Sequence, residues 1–372
     1  FMDDAKAQYI YRRLYHEAPQ DSIVRLLRPC VKKPDVYIVI MESFSDSVTN
    51  MRGVTPNINR LKREGIYFNR FYANSFRTDR GLVSVLQGYP APATVSLMKF
   101  PRKTANMPSI ATHLEKEGYD TYYYYGGDAD FTNMRSFLIN QGFKHITEDV
   151  DFPVSERLSK WGVPDHLLIK RVEHDLRAIP DNGKPRLTVI QTSSSHEPFD
   201  VPYHRLKNKI LNAFAYADSS VGGFVESLKR TKKWNNSLVI LVPDHLGAWP
   251  ERPDNFKPWR YHVPLIWTGG AIMRPMIIDT YGSQQDIAAT LLSQLGVRHG
   301  DMIFSKDMMN PAINHFAFFL PNDGIGMITD DNTLIYDNTQ QKVVYDSGKK
   351  KGMNLEYGKA LLQVLFDDIA KR

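Results

Sequence analysis

Two runs of consecutive apolar residues constrain this chain more than anything else in it: Asp-Val-Tyr-Ile-Val-Ile-Met at 35–41 and Ser-Leu-Val-Ile-Leu-Val at 237–242. A strand with one face in water alternates apolar and polar side chains. A β-branched run without that alternation is covered on both faces, as in a mostly parallel sheet between two layers of helices. The stretches between the runs fit such a sheet. Thr55 and Pro56 open a helix that Gly65 closes, an N-cap residue followed by Pro where its missing N–H costs nothing. Further helices are expected over 79–86, from Pro108 to Gly118, and over 134–140, 164–177, 207–229 and 284–295, the last stopping at Gly296. Strands are expected at 121–125, 186–191 and 263–268 between them. This alternation reads as α/β, a mostly parallel sheet with helices on both faces.

Beyond residue 300 the period changes. Short alternating runs at 317–320, 326–329, 333–337 and 342–345 read as an antiparallel meander, and a helix over 355–370 closes the chain. The expected organisation is a lead-in segment at 1–34, a large α/β domain at 35–300 and a small C-terminal α+β lobe at 301–372. At 372 residues the chain has room for this.

Composition removes several function classes. A single cysteine, Cys30, excludes an internal disulfide framework and a thiolate metal cluster. The 47 basic against 41 acidic residues leave a formal charge of +6, which fits an acidic partner or a mere solubility charge. No basic run reaches five residues and no nucleic-acid-binding pattern appears, so nucleic acid is not an expected partner. The longest apolar runs fall well short of the ~20 residues that span a bilayer. The chain begins at Phe1 rather than Met. Either targeting or membrane segments lie upstream of this piece, or it is a processed mature protein.

Ligands of such sheets bind beyond the carboxyl ends of the strands. Glu42 follows the first run, and Asp244-His245 with Gly247 follow the 237–242 run. These are donors for a hard or borderline divalent metal, although a buried, structurally paired Asp244 explains that motif equally well. Ser75-Phe76-Arg77-Thr78-Asp79-Arg80-Gly81 leads directly into a helix. There Thr78 sits near free N–H groups that favour anionic oxygens, with Arg77 and Arg80 flanking it. A hydroxyl, two guanidiniums, a helix terminus and acidic and His residues at two strand ends could activate an alkoxide beside a phosphoryl or sulfuryl group. His262 precedes the 263–268 strand and either reaches the site or caps the strand. Trp161, Asp165 and His166 open a helix and read as structural, Tyr122–Tyr125 as core packing, and Asp286 as a first-turn carboxylate favoured by the dipole.

The order Ile40-Met41-Glu42-Ser43-Phe44, Thr55-Pro56-Asn57, Thr78-Asp79, Ser195-His196-Glu197-Pro198-Phe199, Asp244-His245 resembles the sulfatase and alkaline-phosphatase superfamily. Within it, the sequence is most similar to the extracellular domain of lipoteichoic acid synthase-type phosphoglycerol transferases, over about residues 35–296. The resemblance implies Glu42, Thr78, Asp244 and His245 as ligands of one divalent metal, usually Mn2+, with Mg2+ or Zn2+ as alternatives. It implies Thr78 as the nucleophile and His196 as a head-group contact. Arg80, His262, Asp128 and Arg135 complete the expected substrate-binding set. The implied reaction moves a phosphoglycerol group from an anionic phospholipid to a hydroxyl acceptor through a phosphothreonine. A phosphodiesterase or sulfatase-like hydrolase is the alternative reading, with a phosphoethanolamine transferase behind it. The implied location is the extracytoplasmic face of a bacterial cytoplasmic membrane, with transmembrane helices ahead of Phe1. Two departures sharpen this. Thr78 occupies the slot where formylglycine sulfatases carry Cys or Ser, and Cys30 lies in no such frame. In the head-group segment after Gly127, Asp128, Phe131, Asn133 and Arg135 stand where the synthases carry a His and a Trp-Asn-Arg stretch.

Overall fold

A computed structural model describes residues 1–16, 23–158, 162–247, 249–250 and 253–372. Trp161, expected at the opening of a helix, lies outside the described residues. The strands are β1 (Asp35–Met41), β2 (Ile66–Phe68), β3 (Phe71–Tyr72), β4 (Asp120–Tyr125), β5 (His145–Thr147), β6 (Arg186–Gln191) and β7 (Ser237–Pro243). They continue with β8 (Leu265–Thr268), β9 (Met276–Ile278), β10 (Gly282–Ser283), β11 (Ala317–Phe319), β12 (Gly324–Ile328), β13 (Thr333–Asp337) and β14 (Lys342–Ser347).

Among the described residues, eight strands form the main sheet in the order β5-β4-β6-β1-β7-β8-β2-β9. All run parallel except β8, which is antiparallel to both β7 and β2. Every residue of β1 and β7 is buried. Alternation places successive side chains on opposite faces. Val36, Ile38 and Ile40 of β1 pack with the Thr78–Gln87, Ile110–Lys116, Met134–Asn140 and Asp286–Gln294 helices. Tyr37, Val39 and Met41 pack on the other face with the Pro56–Glu64, Asp165–Ala178 and Lys209–Lys229 helices. Two helical layers therefore cover the sheet, as the unbroken apolar runs require.

β11 to β14 form the expected antiparallel meander in chain order. Its Phe318, Met327 and Leu334 join the same continuous core as Leu238 and Ile240 of β7. The Asp4–Leu14 helix, inside the expected lead-in, packs on the Asn354–Lys371 helix. There Gln363 pins the first residues by accepting from Met2 N at 3.0 Å and donating to Met2 O at 2.8 Å. Asp286 does open a helix, but it is fully buried and paired with Lys306 Nζ at 3.1 Å. A carboxylate without exposure needs that cation more than it needs a helix dipole.

Candidate active site

β1 and β7 are neighbours in parallel register, with Met41 opposite Pro243. The chain therefore releases Glu42 and Asp244 side by side at the carboxyl edge of the sheet. The loop after β1 turns sharply: Ser43 adopts φ +62°, a left-handed conformation that costs a non-glycine residue about 1 kcal/mol or more. That turn aims the Ser43 amide at Asp244 Oδ1 (2.8 Å) and its hydroxyl at Glu42 Oε1 (2.9 Å). From β6, Thr192 Oγ1 accepts from Glu42 N at 3.0 Å, and Ser195 Oγ donates to Glu42 O. The strain is thus held by a network of buried partners.

The Thr78–Gln87 helix enters this cluster end on. Thr78 Oγ1 lies 2.9 Å from Asp244 Oδ2, 3.2 Å from Glu42 Oε2 and 3.3 Å from His245 Nε2. Gly81, one turn on, faces the Asp244 backbone so closely that a Cβ would lie 3.0 Å from Asp244 C and Cα and closer still to its oxygen. Only glycine lets the helix seat there. His245 Nδ1 donates to Leu246 O at 2.9 Å, leaving Nε2 directed at both carboxylates, 3.5 Å from each. Buried Arg260 also donates to Leu246 O and fixes the carbonyl that orients the imidazole.

Three titratable groups buried in one contact set oppose one another. Burial and the neighbouring Glu42 charge push Asp244 well above the carboxylate range. Burial would raise Glu42 too, but hydrogen bonds from His245 and Asp244 and the His245 charge hold it below its ordinary value. His245 is pushed up to about 9, because the Asp244 and Glu42 carboxylates outweigh its desolvation. Two buried carboxylates beside one another favour a cation between them. The ligand atoms of Glu42, Asp244 and His245 all lie within 4.8 Å of one another. With the Thr78 hydroxyl, this mixed oxygen and nitrogen set fits one divalent metal ion.

Comparison with known proteins identifies the fold and the family. Residues 34–297 match the family described as Sulfatase. The chain belongs to the sulfatase family. It is 24% identical over 295 residues to a phosphoglycerol transferase I of Xanthomonas campestris pv. campestris, covering 72% of this chain and 42% of that relative. The chain thus spans less than half the length of that curated relative. A solved structure of an alkaline phosphatase superfamily protein from Vibrio parahaemolyticus superposes with TM-score 0.85 at 23% identity, over 100% of this chain and 97% of that one. The lipoteichoic acid synthase structure from Listeria monocytogenes gives TM-score 0.82 at 20% identity, over 99% and 98%. The fold is alkaline-phosphatase-like, and this member of the sulfatase family is an enzyme.

Glu42, Thr78 and His245 form one wall of a cavity of about 540 Å³. Arg77, Lys99, Tyr125, Phe131, Met134 and His196 also line it. The expected residues of this sulfatase-family site fall into two groups. Glu42, Thr78, His245 and His196 line the cavity, and buried Asp244 stands behind them with its Oδ2 2.9 Å from Thr78 Oγ1. Arg80 lines it too, but its guanidinium is spent on Asp79 (2.7 Å) and on the carbonyls of Pro92 and Ala93. It braces the loop after the helix instead of offering donors to a ligand. Asp128 and Arg135 do not line the cavity, and Arg135 is paired with Asp130 and Glu148. His262 has both ring nitrogens engaged, Nδ1 3.3 Å from Asp46 and Nε2 2.8 Å from Asn69 O, and its ring stacks on Tyr72. It steadies the short Asp46–Thr49 helix after the Glu42 loop and stays out of the cavity. Buried Asp165 accepts from the amides of Ser193 (2.9 Å) and Ser194 (3.1 Å), and so holds the loop that carries His196. Lys99 carries no sequence signal beyond its basic neighbours, and only the packing of the Leu97–Lys99 turn on the Thr78–Gln87 helix brings it to the site.

Proposed function

We propose that this enzyme is a metal-dependent transferase of phosphoglycerol, more generally phosphodiester, groups that acts on membrane-lipid head groups through a phosphothreonine at Thr78. The observation that carries the reading is the single hydroxyl of Thr78, at a helix N-terminus, within hydrogen-bonding distance of Glu42, Asp244 and His245 at once. Glu42, Thr78, Asp244 and His245 would hold one divalent cation, with manganese the proposed ion. Once bound, it would supply positive charge that favours the alkoxide form of a hydroxyl. With the cation bound Asp244 would be ionised, and its Oδ2, 2.9 Å from Thr78 Oγ1, would accept the Thr78 proton before attack. Thr78 Oγ1 then bonds to phosphorus as the bond to the diacylglycerol oxygen breaks, and the proton taken from Thr78 passes from Asp244 through solvent to that departing oxygen, which leaves as the alcohol. Arg77 and Lys99, the cationic side chains on the cavity wall with donors to spare, meet the phosphoryl oxygens, while His196 faces the head group. An acceptor hydroxyl takes the group in the second half-reaction, and Thr78 regains its proton.

Kinship with a phosphoglycerol transferase and fold likeness to a lipoteichoic acid synthase support the donor class. They also support the extracytoplasmic face of a bacterial membrane as the place of action. Among the described residues no helix is long and apolar enough to cross a membrane. The test is lipid product analysis. Phosphatidylglycerol vesicles with Mn2+ should yield diacylglycerol, and Thr78→Ala or a chelator should stop it. Diacylglycerol formed equally by the Thr78→Ala variant would reject the mechanism, and none formed with any divalent metal would reject the donor.

A further inference from the structure

The lip of the active-site cavity continues past Lys99 with exposed residues, Phe100 and Arg102, that the catalytic reading leaves unused. The Leu97–Lys99 turn buries Leu97 and Met98 and is fastened to the nucleophile helix, where Ser96 Oγ donates to Asp79. The same turn touches the Phe131–Asn133 turn, with Thr132 Oγ1 3.7 Å from Met98 Sδ. From this support the chain continues as Lys99-Phe100-Pro101-Arg102-Lys103. Phe100 is 47% exposed and Phe131, across the lip, 54% exposed. Lys99 and Arg102 are exposed on either side of Phe100. Lys103 Nζ is fixed on Ile369 O at 2.8 Å, which ties the far end of the segment to the C-terminal helix.

A single exposed Phe means little on any protein surface. Here the aromatic stands between cations, on a braced turn, at the opening of a cavity that itself presents Arg77 and Lys99. Exposed Phe rings insert at the boundary between head groups and acyl chains, and basic side chains beside them meet lipid phosphates. We infer that the 99–103 segment, with Phe131 opposite, docks the enzyme on an anionic lipid surface and so sets the cavity mouth at head-group depth. The inference rests on the reading of lipid head groups as substrate and adds the face by which they are reached. The formal charge of +6 is in keeping with that partner.

The test separates docking from turnover. The protein is sedimented with vesicles of phosphatidylcholine alone or mixed with phosphatidylglycerol, with a chelator present so that no lipid is consumed. The wild type should partition to the mixed vesicles on the order of tenfold better than to the neutral ones, with the difference lost in high salt. Phe100→Ser combined with Arg102→Glu, which changes two charge units and removes the aromatic, should lower that partition by on the order of thirtyfold. The same variant should cleave a short-chain, water-soluble phosphatidylglycerol at the wild-type rate, because neither residue lines the cavity. Arg102→Gln alone, which leaves the aromatic in place, should lose about fivefold. Wild-type protein that ignores lipid charge would overturn the inference. So would variants that bind mixed vesicles as the wild type does, or that lose the soluble reaction in proportion. Retention on an anionic polymer without vesicle binding would also overturn it, by pointing to a different partner. Vesicle binding that holds while no lipid product ever forms would count against the proposed substrate and leave the docking face standing.

Discussion

Gly81→Ala tests whether Thr78, the proposed nucleophile, is placed by the fit of its helix against Asp244. A Cβ at position 81 would sit 3.0 Å from both C and Cα of Asp244 and closer to its carbonyl oxygen, all of them backbone atoms that cannot swing aside. Restoring ordinary van der Waals separation requires the helix to retreat by on the order of 1 Å. Thr78 lies three residues before Gly81 on the same helical face. Its contacts of 2.9, 3.2 and 3.3 Å to Asp244, Glu42 and His245 would stretch toward about 4 Å. A displacement of ~1 Å at a reacting group costs about 100-fold in rate. Stability should move little, since about 1–3 kcal/mol of overpacking is offset by about 1 kcal/mol from replacing a helical glycine. Diacylglycerol release from phosphatidylglycerol, measured alongside urea unfolding, reads both quantities. Gly223→Ala is the control, because a Cβ there meets nothing within 4 Å; it should stabilise slightly and leave the rate unchanged. A Gly81→Ala enzyme with wild-type activity would refute the idea that this contact sets the nucleophile.

Other consequences are as specific. Arg77→Ala should raise KM for a phosphodiester substrate several-fold with the fold intact. Arg80→Ala, which unties Asp79 and the Pro92 and Ala93 carbonyls, should lower the melting temperature; steady-state kinetics and calorimetry distinguish the two. Lys306→Met leaves Asp286 buried without its cation and should cost about 3–5 kcal/mol in urea unfolding. The His262–Asp46 pair predicts a pH window. Burial pushes His262 down, but the Asp46 carboxylate pushes it above 6.5, so its stabilisation is complete below 6.5 and fades as pH rises through the raised folded value. Asp46 is held below 3.8 despite burial, by His262, so its share is present above 3.8 and lost on acidification. Stability of His262→Gln measured across pH should lack the decline above 6.5 that the wild type shows.

What could be read before the structure follows from what is local. Glu42, Asp244 and His245 were legible because unbroken apolar runs mark buried strands, and residues after such strands share one edge of the sheet. Thr78 was legible from its place at a helix start between two arginines. The helices at 134–140 and 209–229 and the antiparallel meander followed from periodicity and turn residues. The strand at 263–268 was legible but the reversed direction of β8 there was not, and the short strands β2, β3, β5, β9 and β10 did not follow, since strands of two or three residues carry too few positions to show a period. Side-chain roles set by distant partners were equally hidden. Nothing next to Arg80 announces that Pro92 and Ala93 will take its donors. Nothing around His262 shows that Asp46 and Asn69 will engage both its nitrogens. Nor does anything around Arg135 show that Glu148, thirteen positions on, engages its guanidinium.

The central claim is that the Thr78 oxygen carries the transferred group. Its most direct test is the intact mass of the enzyme, quenched during turnover of phosphatidylglycerol with Mn2+ and no acceptor, followed by peptide mapping. One added glycerophosphoryl group is expected, located on Thr78, absent from Thr78→Ala and removed when an alcohol acceptor is supplied. Turnover at an undiminished rate with no adduct, or an adduct on any other residue, would contradict that claim.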